Sequence, residues 1–239
     1  MSIPSAVHLA HVYDLLIAAY GEPRNEPDFD PLGGLVGTIL SQHTSDINSE
    51  RAYKQLVAAF PTWEAVRDAP TYKVAGAILS GGLANIKARR IQDVLHELTE
   101  LQAQRGDTRP LVHALDELRH MQPEEAWRWL RKLPGVGPKT AACVLMFNLD
   151  VPVMPVDTHV HRVSQRLGLI GPKVNADQAH DLFDRMTPPQ WVYPLHVNLI
   201  RHGRRICHAQ HPECDKCPLY SQCAYVGSVN AQKTTPSST

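Results

Sequence analysis

The chain has 239 residues, 43% of them hydrophobic, and its 24 Lys and Arg are balanced by 24 Asp and Glu, so the formal net charge at neutral pH is zero. That length and apolar share suffice for one extended domain or two lobes with a proper core. Charge neutrality excludes a chain-wide basic field of the kind that gathers polyanions, and no apolar run approaches the roughly 20 residues of a membrane span.

The periodicity is helical nearly throughout. Apolar residues recur at three and four in AVHLAHVYDLLIAAY (6–20), LGGLVGTILS (32–41), INSERAYKQLVAAF (47–60) and ARRIQDVLHELTEL (88–101), while alternating strand patterns are scarce. Pro31 inside a helix start, Thr62 before WEAV and Gly81-Gly82 after AGAIL act as caps and stops. The stretch AQRGDTRP (103–110) reads as a surface loop, and EEAWRWLRK and KTAACVLMFNL as further helices. The reading is an all-α protein of ten or more short helices without internal repeats. From Gly227 the small, polar tail is expected to be disordered. Three basic clusters stand out, Lys87 with Arg89 and Arg90, Arg128 with Arg131 and Lys132, and Arg201, Arg204 and Arg205 beside His202. Taken alone, each reads as a solvated helix face.

The segment LPGVGPKTA (133–141) joins two helices through a tight glycine turn, a helix-hairpin-helix. Gly135 and Gly137 permit backbone conformations that other residues resist, and they leave amides uncovered at a helix N-terminus, where phosphate oxygens can bind without reference to base sequence. Standing alone, LPGVG would serve equally as a packing corner. Lys139 lies in the first turn of the second helix, and eighteen residues on Asp157 in MPVDTHVHR is placed to cap another. A lysine partly desolvated at a helix N-terminus should have a depressed pKa and carry some neutral amine, the form that attacks carbon. A carboxylate can accept a proton or stabilise positive charge developing on a sugar ring, or do no more than cap.

Near the C-terminus Cys207, Cys214, Cys217 and Cys223 are spaced C-x6-C-x2-C-x5-C in a short loop carrying Pro212 and Pro218. The residues leave two metals open, tetrahedral zinc or an iron-sulfur cluster. A single CxxC flanked by cysteines at unequal intervals favours iron-sulfur over the paired knuckles of structural zinc. Disulfides of a secreted loop are disfavoured, because MSIPSAVHLAHVYDLL lacks a basic n-region and an uninterrupted apolar core. The fifth cysteine, Cys143 in AACVLMF, reads as a buried structural thiol.

LPGVGPKTA, PVDTH and the four-cysteine loop, in this order, resemble the endonuclease III family of helix-hairpin-helix DNA glycosylases from about Leu32 to Cys223. The resemblance implies two helical lobes: a six-helix barrel with the hairpin over 29–151, and a discontinuous iron-sulfur lobe from 1–28 and 152–226, with damaged double-stranded DNA across the groove between them. By resemblance Lys139 is the nucleophile and Asp157 the catalytic aspartate, while Cys207, Cys214, Cys217 and Cys223 hold a [4Fe-4S] cluster. It also implies DNA contacts by Gly135, Val136, Gly137, Gln42, His43, His159, Lys87 and Arg204, with Leu83 wedged into the base stack. The expected activity is a bifunctional glycosylase and abasic-site lyase acting on oxidised pyrimidines, in a monomeric, membrane-free, cytoplasmic and nucleoid-associated protein.

One departure bears on lesion choice. Family members in bacteria commonly read SAQATD where this chain reads SQHTSD (41–46), which places His43 at the position of the glutamine that fills the gap left by the flipped base, with Gln42 beside it. The stretch between Gly106 and Pro123 is also longer than usual in the family. Rival readings are a thymine or uracil mismatch glycosylase and a damage-binding paralogue without catalysis. An adenine-mismatch glycosylase is disfavoured by the presence of Lys139.

Overall fold

The computed structural model describes residues 6–226, so the tail expected to be disordered lies outside the described residues. In chain order the helices are α1 (Ala6–Tyr20), α2 (Pro31–Ser41), α3 (Asp46–Ala59), α4 (Trp63–Asp68), α5 (Thr71–Ala77), α6 (Ala84–Gln104), α7 (Pro123–Leu130), α8 (Pro138–Cys143), α9 (Thr158–Leu167), α10 (Ala176–Met186) and α11 (Val192–Arg205). No strand occurs among the described residues, and the protein is all-α. Two expectations need correction. The helix α6 continues through Ala103 and Gln104, so the loop there begins at Arg105. The run KTAACVLMFNL is not one α-helix, because α8 gives way at Val144 to a π-helical turn that ends at Asn148. No described helix is long and apolar enough to cross a membrane.

Two compact units divide the chain, one formed by Glu26–Val153 and the other by Met1–Asn25 together with Met154–Thr239. The first is built around α2. Asp30 caps it by accepting from Gly33 N at 2.9 Å, and Pro31 presets the first helical turn. Leu32, Leu35, Val36, Ile39 and Leu40 are fully buried against α3, α6, α8 and the π-helical turn. A helix apolar on all sides belongs in the middle of a core. Ser45 and Thr62 start α3 and α4 in the same way, accepting from Asn48 N and Ala65 N. The stretch from Arg105 to Gln122 is not a free loop: Leu111, Leu115 and Leu118 are each at most 2% exposed and belong to the same core.

The second unit ties the N-terminal helix to the C-terminal third. Leu9, Val12 and Leu16 of α1 are buried, and α1 packs against α11, which packs in turn on α9. Polar pins join these distant segments: His8 Nε2 meets Leu167 O at 2.8 Å, Asn198 Nδ2 donates to Gly21 O at 2.8 Å, and Tyr13 stacks on Trp191 with ring centroids 4.4 Å apart. An Asn175 and Gln178 capping box opens α10.

Candidate functional site

The hairpin turn is bolted to its unit from beneath. Leu133 and Val136 are 3% and 6% exposed, Val136 N donates to Leu133 O at 3.1 Å, and Trp127 Nε1 of α7 donates to Pro138 O at 3.0 Å. Between the two buried side chains the chain must reverse, and Gly135 does so at φ +72°, in the left-handed region. Gly137 caps α8 without any side-chain hydrogen bond, so no side chain competes for the amides that open this helix. Val136 offers no exposed side chain, and its amide is engaged by Leu133 O. Lys139 lies in the first turn of α8 with its side chain exposed, and the expected partial desolvation is not found. The next residue, Thr140, is buried, and its hydroxyl accepts from Gln42 Nε2 at 3.3 Å.

Gln42 belongs to the loop between α2 and α3, and its amide is used at both ends. Arg90 Nη1 of α6 donates to Gln42 Oε1 at 2.6 Å. His43, the neighbouring residue, is exposed at φ +54°. On the loop that leads into α6, Leu83 is 54% exposed at φ +48°. Both residues hold a backbone conformation that costs a non-glycine residue about 1–2 kcal/mol. Lys87 requires correction: it is 2% exposed and donates inside the unit to Leu40 O, Thr44 Oγ1 and Gly81 O at 2.6, 2.8 and 2.7 Å. All three ammonium donors are spent, which leaves none for a phosphate. Burial holds its pKa below the usual lysine value.

In the second unit, Asp157 caps α9 by accepting from Val160 N at 2.7 Å through Oδ1. His159, one residue into α9, is half-buried, with Nδ1 3.1 Å from Arg162 Nη2. That same guanidinium donates to Gly203 O at 3.0 Å and to Cys207 O at 2.9 Å. Arg204 is exposed. The four loop cysteines line one cavity of about 20 Å³ with Arg166, His202 and Ile206. None of the five cysteines is joined in a disulfide, and Cys143 is 9% exposed.

Hydrogen bonds converge on the cysteine loop. Arg166 Nη1 donates to Cys207 Sγ at 3.3 Å and to His208 O at 2.6 Å, and Nη2 donates to Ala209 O at 3.0 Å. His202 is 1% exposed, with Nδ1 2.9 Å from the Tyr20 hydroxyl and Nε2 3.7 Å from Cys217 Sγ. Burial pushes the imidazole down to about 4, so the ring is neutral. Burial also pushes the Cys217 thiol up to about 11, and its three neighbouring cysteines add to that shift. Sequence reading passed over Arg162 and Arg166. Their i, i+4 spacing on α9 was visible, but the acceptors lie more than forty residues further along the chain.

An all-helical fold with this hairpin and four-cysteine loop defines the helix-hairpin-helix class of DNA repair proteins. The matching family model, HhH-GPD superfamily base excision DNA repair protein, spans residues 36–189. The endonuclease III of Thermotoga maritima is 33% identical over 203 residues, covering 85% of this chain and 87% of that protein. The endonuclease III of Rickettsia conorii is 34% identical over 194 residues, covering 80% of this chain and 82% of its own. Among solved structures, a non-covalent endonuclease III–DNA complex is similar with a TM-score of 0.74 at 27% identity, over 95% of this chain and 99% of that one. A thermostable thymine-DNA glycosylase shares the fold, with a TM-score of 0.72 at 19% identity. The chain belongs to the HhH-GPD superfamily, as an endonuclease III-like base excision repair DNA glycosylase.

Proposed function

We propose that this glycosylase is bifunctional: it excises oxidised or ring-saturated pyrimidines from double-stranded DNA and then cleaves the strand at the abasic site. The observation that carries the proposal is Lys139, a primary amine in the first turn of the hairpin helix, exposed and with no carboxylate bonded to it among the described residues. DNA as the substrate is supported by the match to an endonuclease III solved on DNA. The enzyme acts as a monomer.

In this mechanism the damaged nucleotide leaves the stack, most readily where pairing is already weak. The Lys139 Nζ lone pair attacks C1′, and the C1′–N bond breaks with its electrons departing on the base, which is protonated as it leaves. Asp157 stabilises positive charge building on the sugar. Its Oδ1 is held by Val160 N, which fixes the carboxylate as a cap while its charge still acts at a distance. A proton then passes from the attached nitrogen to O4′, the C1′–O4′ bond breaks with its electrons on that oxygen, and the opened sugar carries an imine between Lys139 and C1′. Loss of the C2′ proton then expels the 3′ phosphate, and water hydrolyses the imine to free the lysine. The hairpin amides hold backbone phosphate, Arg204 adds charge and His159 lies at the start of α9, while Leu83 wedges into the stack and His43 fills the gap.

Cys207, Cys214, Cys217 and Cys223 would hold a [4Fe-4S] cluster. What supports this fit is that the four thiols share one cavity and are spaced as a single CxxC flanked by cysteines at unequal intervals. The cluster staples its unit and takes no part in the steps above. Borohydride trapping with wild type and Lys139→Ala, on duplexes carrying an oxidised pyrimidine, a mismatched uracil or an abasic site, tests the proposal. A covalent adduct with wild type alone, strongest on the oxidised pyrimidine, is the expected result. Retained strand cleavage by Lys139→Ala overturns the nucleophile. One observation favours a second reading as a thymine or uracil mismatch glycosylase, namely His43 projecting where the family carries glutamine, and a ranking led by the mismatched uracil would establish it.

A further inference from the structure

Lys87 is a lysine buried to 2% exposure with no carboxylate among its hydrogen-bond partners. Such burial is costly unless every donor is satisfied, and the three acceptors that satisfy this one come from two chain segments far apart in sequence, 40–44 and Gly81. The first acceptor lies at the C-terminus of α2, where Ile39 O takes Gln42 N at 3.3 Å and Ser41 O takes Thr44 N at 3.2 Å, leaving Leu40 O for the ammonium at 2.6 Å. A cation is the partner that a helix C-terminus favours. The second acceptor is the Thr44 hydroxyl, in the loop that presents His43, and the third is Gly81 O, in the loop that presents Leu83. The Thr44 hydroxyl is itself hydrogen-bonded to Gly81 O, which closes a triangle with Lys87 at its apex. One turn further along α6, Arg90 fastens Gln42. His43 and Leu83, the exposed residues of these two loops, both hold left-handed backbone conformations, a kind of strain that persists only where the surroundings over-determine it.

We propose that Lys87 is a positioning residue for lesion extrusion: its buried ammonium locks the loop carrying His43 to the loop carrying Leu83, so that the two side chains enter the duplex as one preorganised pair. This rests on the roles given to His43 and Leu83 above. Preorganisation matters because a wedge on a loose loop must be ordered at the moment of insertion, and that loss is subtracted from the energy available to hold the base out of the stack. An apolar side chain at position 87 would fill the space without linking the segments.

The test compares wild type, Lys87→Met, Thr44→Val, Leu83→Ala and the double variant Lys87→Met with Leu83→Ala. Single-turnover excision is measured on a paired oxidised pyrimidine, strand cleavage on a preformed abasic site, and stack disruption by the fluorescence of 2-aminopurine placed opposite the lesion. Losing a charge-assisted bond to two loops is expected to slow excision about tenfold to a hundredfold and to abolish the 2-aminopurine rise. Cleavage at the abasic site, where no base has to be driven out, is expected to change less than about threefold. Thr44→Val, which removes only the shared hydroxyl, acts in the same direction and keeps the test alive if Lys87→Met does not fold. In the Leu83→Ala background Lys87→Met should add little, since the residue it positions is gone. Equal loss on both substrates, additive losses in the double variant, or a wild-type 2-aminopurine response from the folded single variants overturns the proposal. If wild type excises nothing, the function proposed above fails instead, and the 2-aminopurine response still decides the role of Lys87.

Discussion

Gly135 and Gly137 sit two residues apart in one turn, and the structure assigns them opposite vulnerabilities. An alanine at 135 must hold φ +72°, which costs about 1–2 kcal/mol. Its Cβ would also lie 2.7 Å from Arg90 Nε and 2.8 Å from Arg90 Cδ, inside any tolerable contact. The stem of Arg90 therefore has to move, and with it the 2.6 Å bond to Gln42, a charge-assisted contact of about 1.5–3 kcal/mol when well buried and less at this partly exposed site. The total for Gly135→Ala comes to about 2–4 kcal/mol, or a fall of about 1 M in the urea midpoint. Gly137 has an ordinary φ of −87°, and a Cβ there meets nothing within 4 Å, so Gly137→Ala is expected to cost under about 1 kcal/mol. That methyl would nevertheless stand beside the uncapped amides that open α8, and duplex affinity is expected to fall about tenfold. Urea titration and fluorescence anisotropy on one duplex read the two effects separately. A wild-type urea midpoint for Gly135→Ala would refute the packing argument, and wild-type affinity for Gly137→Ala would refute the phosphate contact.

Asp157→Asn separates charge from capping, because asparagine caps a helix about as well as aspartate. Stability is expected to change by less than about 0.5 kcal/mol while single-turnover excision falls about 100-fold or more; excision near the wild-type rate would leave the residue a cap. For the metal, Cys214→Ser is expected to lower the iron and sulfide content of the purified protein and to lower the unfolding temperature. One equivalent of zinc in wild type produced with ample iron would replace the cluster.

The helices were legible because their apolar spacing and their caps agree, as at Asp30, Ser45 and Thr62. The break in the helix after α8 was not, since AACVLMFNL carries no proline or glycine to mark it. Nor was it evident that residues 111–118 feed the core: Leu111, Leu115 and Leu118 recur at a helical spacing, but within a segment too short and proline-bounded to be read as a helix, and it folds as two 3-10 turns. Among site residues, the cysteines announce themselves by spacing alone. Lys87 misled because a lysine beside two arginines reads as a surface cluster, whereas its true partners are two carbonyls and a hydroxyl, groups that every sequence contains and that spacing cannot single out.

The second unit joins its two proposed roles through α9. The helix begins at the Asp157 cap and carries on the same face Arg162 and Arg166, whose guanidinium groups hold the carbonyls of Cys207, His208 and Ala209. Within the loop, backbone bonds such as Cys217 N to Cys214 O at 3.0 Å and Cys223 N to Tyr220 O at 3.3 Å set its tight turns. From outside, two arginines on the helix that Asp157 caps hold the loop's first residues, with Arg166 donating to Cys207 Sγ, and His202 on α11 meets Cys217 Sγ. Coupling of this kind runs both ways, since a bond that orients the loop from the helix equally restrains the helix from the loop. A metal drawing the four thiols together would therefore stiffen α9 and hold its N-terminal carboxylate in place, without any part in bond cleavage.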